Sequence, residues 1–328
     1  MSEKSVRFCL SKEASTCLKG LACLLIVLHH WCSGLSGVGY SSSLVKLFTQ
    51  AGGITGVAVF FFLSSYGLSR SQQKKENTLT SFFTKRLVRV YIPLVITNVL
   101  WLSLRYEGQE LVQAIFQILN LKDLLDVVTW FCNVIIFCYI IFYVSNSFAS
   151  IWAKLFSNWT LTIALAVLLS MIWPKYPCYV YSLVAFPLGT TVGILQDRMN
   201  WNNLLAITFV PTMALLGILV WCLPENKNLV IANLYCSVVI LCLIFIVLWV
   251  QQNESSVLSS AAGLFAKPLS FIGLYSYEIY LLHNKFLMFH SDYHVTVWYP
   301  ITFLLIVLPL AVLLYICDQQ ATKLVVKK

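Results

Sequence analysis

Apolar stretches long enough to cross a lipid bilayer follow one another along almost the entire chain. Of its 328 residues, 59% are hydrophobic and only 11% are charged, and the mean hydropathy is +0.81. Soluble domains carry about 25% charged residues, which excludes an ordinary water-soluble globule. The same composition excludes a disordered chain and a small disulfide scaffold. It predicts an all-α, polytopic integral membrane protein.

About ten stretches have the length of roughly 20 residues that a transmembrane helix needs. They are residues 18–36, 52–69, 88–105, 129–146, 159–174, 178–195, 203–223, 229–250, 268–289 and 297–317. No polar linker separates them into domains, so residues 1–328 are predicted to be a single transmembrane domain. A short N-terminal segment (1–17) and a C-terminal tail (318–328) flank it.

The lysines and arginines are distributed unevenly between the two sides of these predicted helices. Sixteen of 22 fall on the side of the N-terminus and six on the other. Because cytoplasmic loops are enriched in Lys and Arg, this bias predicts that both termini are cytoplasmic. The net charge of +9 is explained by topology, and no nucleic-acid partner is expected.

Two connecting segments have recognisable patterns. From Glu110 to Asn120, apolar residues recur at helical spacing with glutamines opposite, which predicts a helix lying in the outer membrane interface. Residues Ser71–Thr84 are the most polar connection and are predicted to form a cytoplasmic loop.

The eleven cysteines have neither C-x-x-C nor zinc-ligand spacing, so no metal site is expected. Most lie in apolar runs, where a thiol packs as a small hydrophobe. Cys178 and Cys222 fall near one predicted face and could pair, although nothing in the sequence requires it.

Span one carries two adjacent histidines, His29 and His30. Eleven residues of helix place His30 roughly 16 Å deeper than Lys19, near the middle of the bilayer. Imidazole can act there as a general base near neutral pH. The alternative is a neutral histidine hydrogen-bonded between helices, and the sequence alone leaves both open.

Basic residues cluster where span three begins, at Lys85, Arg86 and Arg89. Such a cluster is typical of positive-inside anchoring and contact with membrane lipids. The alternative is a clamp for a phosphorylated cytoplasmic ligand, because guanidinium groups match phosphate oxygens.

Span nine carries a polar stripe. Gly273, Ser276, Tyr280 and His283 share one face if residues 268–289 form a single helix, and Glu278 lies on another. Buried polar groups of this kind either line a substrate cavity or bond across helices.

Trp130 and Phe131 open span four at the predicted outer surface. An aromatic belt would place them there without any function, so a role in binding is the alternative explanation.

Five blocks in order resemble the acyltransferase 3 family of membrane-bound, acyl-CoA-dependent acyltransferases. They are Lys19 with His30 eleven positions later, Gly56–Gly67, Lys85–Pro93, Trp130-Phe131 and Ser276–His283. The spacing selects His30, and not His29, as the counterpart of the family's essential histidine. Lys19 stands where arginine is usual.

The resemblance implies transfer of an acyl group, in the first place acetyl, from cytoplasmic acyl-CoA (acetyl-CoA) to a hydroxyl of a carbohydrate or cell-surface glycan. It places the protein in the bacterial cytoplasmic membrane and assigns three roles. His30 would be catalytic, and Lys19, Arg86 and Arg89 would bind the acyl-CoA. The acceptor would be bound by Ser276, Tyr280, His283, Trp130 and Glu278. Ser276, Tyr280 and His283 are also candidates for binding the developing oxyanion.

A carrier is the alternative from another class of protein: a transporter or flippase of a lipid-linked sugar, or a proton-coupled carrier with His30, Glu278 and His283 as a relay. Missing repeat symmetry between two halves speaks against it. The acceptor, the acyl chain, an acyl-histidine intermediate and the oligomeric state stay open.

Overall fold

A computed structural model describes residues 9–74, 78–104, 110–119, 130–172, 180–198, 227–252, 257–288 and 293–326. Within those ranges the chain forms helices joined by short connections, without a strand. The all-α prediction is confirmed. The predicted span 203–223 and the cysteines Cys178 and Cys222 lie outside the described residues.

Thirteen α-helices are described, in chain order. They are α1 (Lys12–Gly37), α2 (Ser43–Leu47), α3 (Gly53–Lys74), α4 (Leu79–Leu104), α5 (Leu111–Ile118), α6 (Trp130–Asn146), α7 (Ile151–Ile172), α8 (Ala185–Leu195), α9 (Lys227–Gln252), α10 (Val257–Leu274), α11 (Ser276–Met288), α12 (Tyr293–Thr302) and α13 (Leu308–Val326). Two π-helical turns, Phe48–Gly52 and Phe303–Val307, join α2 to α3 and α12 to α13.

Five helical segments of the described chain are long and apolar enough to cross a membrane. They are Lys12–Gly37, Ser43–Gln73, Leu79–Leu104, Ile151–Ile172 and Val297–Lys323. Shorter apolar helices cover Trp130–Asn146, Ala185–Leu195, Ile231–Ile244 and Gly263–Leu274. The prediction of a multi-pass membrane protein is thereby confirmed.

The chain divides into two compact units. The first contains Met1–Ala22, Ile54–Glu76 and Phe137–Leu274, and the second contains Cys23–Gly53, Asn77–Ile136 and Tyr275–Lys328.

Small residues allow very close helix contacts in the first unit. A Cβ atom on Gly20 of α1 would collide with the carbonyl oxygen of Leu269 in α10, and one on Gly273 would collide with the carbonyl oxygen of Thr16. Similarly, a Cβ atom on Gly193 of α8 would lie 2.7 Å from the Cβ of Ser69 in α3. Small residues let membrane helices approach until their backbones touch. Helix α8, buried along its whole length, also packs against α7 and α9.

Helices α4, α11 and α13 pack against one another in the second unit. Tyr277 of α11 is a polar link to α4: its hydroxyl donates to the Val90 carbonyl oxygen at 2.7 Å. The thiol of Cys132 in α6 lies 3.3 Å from the same hydroxyl oxygen and donates to it, because the tyrosine proton is already used. One side chain therefore joins three helices.

The prediction that residues 268–289 form one helix is wrong. The helix stops at Leu274 and restarts at Ser276, with Tyr275 in a turn. The two halves belong to different units, so Gly273 is not part of the stripe formed by Ser276, Tyr280 and His283. Its backbone instead packs on α1.

Of the two connecting segments with recognisable patterns, one differs from its prediction and one agrees with it. The predicted loop Ser71–Thr84 is largely helical, since α3 continues to Lys74 and α4 begins at Leu79. The predicted helix after Glu110 is confirmed as α5.

The described cysteines form no disulfide with one another, and Cys23, Cys32, Cys132, Cys138 and Cys236 are buried. Over the same residues, no group of three or more His, Cys, Asp or Glu side chains is arranged to hold a metal ion.

Candidate active site

His30 lies beside a second histidine that is distant in the sequence. The ring centroids of His30 (α1) and His283 (α11) are 5.2 Å apart. His30 is half-buried, whereas His283 is only 1% exposed. Two imidazoles that are distant in the sequence are thus brought together within the second unit.

Hydrogen bonds define the protonation of the His283 ring. Its Nδ1 lies 2.8 Å from the Tyr280 carbonyl oxygen and 3.1 Å from that of Ile279. A carbonyl oxygen only accepts hydrogen bonds, so Nδ1 carries a proton and donates it. The opposite nitrogen, Nε2, is buried and has no hydrogen-bond partner among the described residues.

A row of aromatic side chains continues from the two histidines. The Tyr280 ring lies 5.9 Å from the His283 ring, the Phe131 ring 5.7 Å from that of Tyr280, and the Trp130 ring 6.2 Å from that of Phe131. Phe131 and Trp130 stand at the start of α6. Trp130, Tyr280 and His283, all predicted to bind the acceptor, therefore belong to one row of rings, and His283 is the member that contacts His30.

His29 is held in a different environment from His30. Its Nδ1 donates a hydrogen bond to the Phe48 carbonyl oxygen in the π-helical turn, at 3.2 Å. Its ring packs on the backbone of Gly53, where a Cβ atom would lie 2.7 Å from Cδ2. The ring of His29 makes an edge contact with that of His30 at 4.9 Å. His29 is thus part of the packing around His30.

The other two predicted acceptor-binding residues occupy different surroundings. Ser276 is buried in the first turn of α11, and its carbonyl oxygen accepts from the Cys23 thiol of α1 at 3.6 Å. Glu278 is 4% exposed, as is Asp318 of α13, and the two carboxyl groups interact electrostatically. Glu278 is therefore associated with a second acidic group instead of the aromatic row.

Two of the three residues predicted to bind acyl-CoA lie one turn apart on α4. The Arg86 guanidinium lies 3.7 Å from the centroid of the Phe82 ring and donates to the Phe82 carbonyl oxygen at 2.8 Å. Stacking of this kind holds the planar group in one orientation. Arg89 is exposed, and its charge interacts with that of Asp318.

Lys19, the third predicted acyl-CoA ligand, is half-buried in the first unit. It directly precedes Gly20, where the backbone of α1 approaches α10.

Sequence reasoning missed a polar group at the other end of α11. The Lys285 ammonium donates to Oδ1 of Asn98 in α4 at 2.9 Å. The Asn98 amide nitrogen in turn donates to the carbonyl oxygens of Gln117 and Ile118 at the end of α5, at 3.3 and 3.2 Å. The signal in the sequence was a charged residue, Lys285, near the end of a predicted span. No sequence pattern indicates its partner, Asn98. These hydrogen bonds connect α5 to α4 and, through α4, to α11, the helix that carries His283.

The described chain thus combines apolar helices long enough to cross a membrane with a histidine pair beside a row of aromatic rings. The family model described as an acyltransferase domain matches residues 13–317, nearly the whole chain. The chain therefore belongs to the acyltransferase 3 family, which indicates membrane acyltransferase activity and gives no support to the carrier alternative. No curated protein and no solved structure matches the chain.

Proposed function

We propose that this protein transfers an acyl group, in the first place acetyl, from cytoplasmic acyl-CoA to a hydroxyl of a carbohydrate or cell-surface glycan. His30 is the catalytic base. The observation that carries this proposal is the position of His30, whose ring meets that of His283 and, beyond it, the aromatic row. Family membership supplies the reaction class.

The reaction needs one proton to be moved twice. The acceptor hydroxyl loses its proton to the bare ring nitrogen of His30 as its oxygen forms a bond to the thioester carbonyl carbon. The carbon–sulfur bond then breaks, and the CoA thiolate takes the proton from the imidazolium. A base of this kind contributes about 10²- to 10⁴-fold to the rate.

The acceptor is proposed to bind along the aromatic row, at Tyr280 and Trp130. Aromatic rings combine a large apolar surface with a polar group that can hydrogen-bond, which suits a sugar entering from the membrane or the outer side. Ser276 and Glu278 remain candidates by their place in the family motif, with Glu278 associated with Asp318.

The donor phosphates are proposed to bind Lys19, Arg86 and Arg89. Support comes from the stacked guanidinium of Arg86 and the exposure of Arg89 one turn further along α4. For Lys19 the support is its place in the family motif, eleven residues before His30. Ammonium and guanidinium groups are the usual protein ligands of phosphate.

We further propose ten membrane crossings, with both termini in the cytoplasm of a bacterial cell. The support is the distribution of Lys and Arg, sixteen on one side against six on the other. In that orientation Arg86 and Arg89 face the cytoplasmic supply of acyl-CoA.

Mass spectrometry of surface glycans tests the function. Cells carrying the gene, lacking it, and expressing His30→Ala should differ by one ester of defined mass, present only with the intact protein. Membrane insertion of the variant is checked by its amount in the membrane and its elution as a single species in detergent. Full esterification with His30→Ala would refute the catalytic assignment.

Binding of the donor is tested separately with the purified protein in detergent. Acetyl-CoA at a hundredfold excess over its dissociation constant should stabilise the folded protein by about 2.7 kcal/mol, raising the midpoint of thermal unfolding. Succinyl-CoA in parallel distinguishes the acyl chains. No stabilisation by either thioester would count against the acyl-CoA donor.

A further inference from the structure

The chemistry of His283 follows from the proton on its Nδ1. Because that proton is donated to the carbonyl oxygens of Tyr280 and Ile279, the neutral ring presents a bare lone pair at Nε2. Both accepting carbonyls belong to α11 itself, one turn before His283. The ring orientation is therefore built into the helix and does not depend on a neighbouring element.

The lone pair of Nε2 is buried, and leaving a buried hydrogen-bond acceptor without a donor lowers the stability of the folded protein. His283 is 1% exposed, and Nε2 has no partner in the described part of the chain. A buried acceptor without a donor costs about 1–3 kcal/mol, so a donor is expected to approach it. His30 can supply a ring N–H: the centroid of its ring is 5.2 Å from that of His283, with the ring planes tilted by 50°.

We propose that His283 is a positioning residue for His30. In the reactive arrangement, Nε2 of His283 accepts a hydrogen bond from the ring N–H of His30. The other nitrogen of His30 is then the bare one, aimed at the acceptor hydroxyl. This inference rests on the proposed function, because it assigns His283 through the base that His30 provides.

The same bond acts during the reaction. When His30 takes the proton of the hydroxyl, its ring becomes positively charged. The hydrogen bond from that ring to Nε2 of His283 stabilises the charge, and His283 keeps its own proton. A base that is oriented by a third group is the general arrangement of activated nucleophile sites. Here an imidazole takes the orienting place that a carboxylate takes in a Ser-His-Asp triad.

This assignment replaces one of the roles expected from the sequence. A neutral His283 cannot stabilise an oxyanion through Nε2, because that nitrogen has no proton to donate. Binding of the developing oxyanion is left to hydroxyl groups, of which Tyr280 is the nearest on α11.

Two substitutions separate the nitrogens of His283. In His283→Gln, the amide oxygen lies as many bonds from the backbone as Nε2 and can accept from His30. In His283→Asn, the amide nitrogen replaces Nδ1 and can donate to Tyr280 and Ile279, but nothing replaces Nε2. We expect kcat to fall by about 10- to 100-fold with Asn, the loss seen when the hydrogen-bond partner that orients a metal-binding histidine is removed, and clearly less with Gln.

The KM for acetyl-CoA should stay unchanged in both variants, because the donor is bound elsewhere. Tyr299→Phe is the matched control: it removes the hydrogen bond from the buried Tyr299 hydroxyl to the His283 carbonyl oxygen at 3.0 Å without altering either imidazole. It should keep the kcat of the unmodified protein. Equal losses with Asn and Gln, or an unchanged kcat with Asn, would overturn the proposal.

A spectroscopic measurement keeps the test independent of folding of the variants. Solid-state NMR on the unmodified protein in lipid, with ring-¹⁵N histidine and carbonyl-¹³C tyrosine, identifies His283 by the proximity of its Nδ1 to the Tyr280 carbonyl carbon. We expect a protonated Nδ1 and a bare, hydrogen-bonded Nε2. A proton on Nε2 would overturn the proposal even if activity cannot be measured.

His30→Ala distinguishes this failure from failure of the function itself. If that variant keeps full acyl transfer, the proposed base is wrong. If it loses transfer while the two His283 variants behave alike, only the positioning role is wrong.

Discussion

His29 and His30 are neighbours in one helix, but their rings have different surroundings. The His29 ring is held between a backbone carbonyl and a glycine, while the His30 ring faces His283. The motif spacing from Lys19 favours His30 from the sequence. The structure adds a physical reason, since the ring of His30 contacts His283 and through it the aromatic row.

Exchange of each histidine for asparagine should separate these roles. Asn at position 29 keeps a donor where Nδ1 meets the Phe48 carbonyl oxygen, so we expect most of the activity to remain. Asn at position 30 removes the base, and transfer should fall by about 10²-fold or more. Acetyl transfer to surface glycan in matched cells measures both. The opposite order of effects would transfer the catalytic assignment to His29.

Arg86 can be tested by the kinetic constant that it changes. Arg86→Ala should raise the KM for acetyl-CoA more than that for the acceptor, because it removes a phosphate contact and leaves the acceptor site intact. Arg86→Lys should recover part of the loss, since a lysine keeps the charge but not the stacked, two-pronged geometry. Initial rates at varied concentrations of each substrate provide the measurement.

Lys85→Ala is the control for charge alone, because Lys85 is the exposed neighbour on the same helix. It should leave both KM values close to those of the unmodified protein. Equal increases for donor and acceptor in Arg86→Ala would contradict the phosphate clamp.

Sequence patterns identified some of the interacting residues better than others. His30 was selected by its distance from Lys19, and Trp130 and His283 by motifs that the structure brings to the same site. Tyr277 was not selected, because its partner is the Val90 backbone carbonyl, and a carbonyl is present at every position of a sequence. Buried hydrogen bonds to the backbone therefore remain invisible until the helices are packed.

At the scale of elements, the closest helix contact is between α1 and α10, where backbones meet at Gly20 and Gly273. We expect Gly20→Ala or Gly273→Ala to lower the free energy of unfolding by about 1–3 kcal/mol, the usual effect of an added methyl group in a packed site. The midpoint of thermal unfolding in detergent measures the effect.

Gly263→Ala is the matched control, because Gly263 lies in α10 with open space where its Cβ would be. Alanine favours helix over glycine by about 0.8–1.0 kcal/mol, so this variant should be as stable as the unmodified protein or more so. A comparable loss of stability at positions 20 and 263 would show that close packing is not the cause.

Hydropathy predicted most helices but not their ends. The stretch around Tyr275 lacks proline, and its hydropathy does not mark the break between α10 and α11, although Gly273 and Ser276 are residue types common at helix ends. Conversely, the polar residues Ser71–Lys74 continue α3 because nothing in them stops a helix, although their polarity indicated a loop. Hydropathy reports burial in lipid, whereas helix ends depend on backbone bonding and packing.

At the scale of the whole molecule, the predicted orientation rests on the uneven distribution of Lys and Arg along the chain. A fluorescent protein fused after Lys328 should fluoresce, and alkaline phosphatase fused there should be inactive, because both termini are predicted to be cytoplasmic. Phosphatase fused within residues 105–109 should be active, since that connection is predicted to lie outside. An active phosphatase at the C-terminus would invert the topology and place Arg86 and Arg89 away from acyl-CoA.

The π-helical turn makes the site sensitive to the length of the chain as well as to its side chains. Phe48 meets His29 through its carbonyl oxygen, an atom that any amino acid would supply at that position. Deleting one residue of Phe48–Gly52, however, would rotate the preceding helix by about 100° and carry that oxygen away from the imidazole. We expect Phe48→Ala to retain glycan acetylation and the deletion of Phe48 to lose it; equal activity of the two would show that the turn serves no such purpose. Selection should therefore remove insertions and deletions at these five positions more often than it removes substitutions.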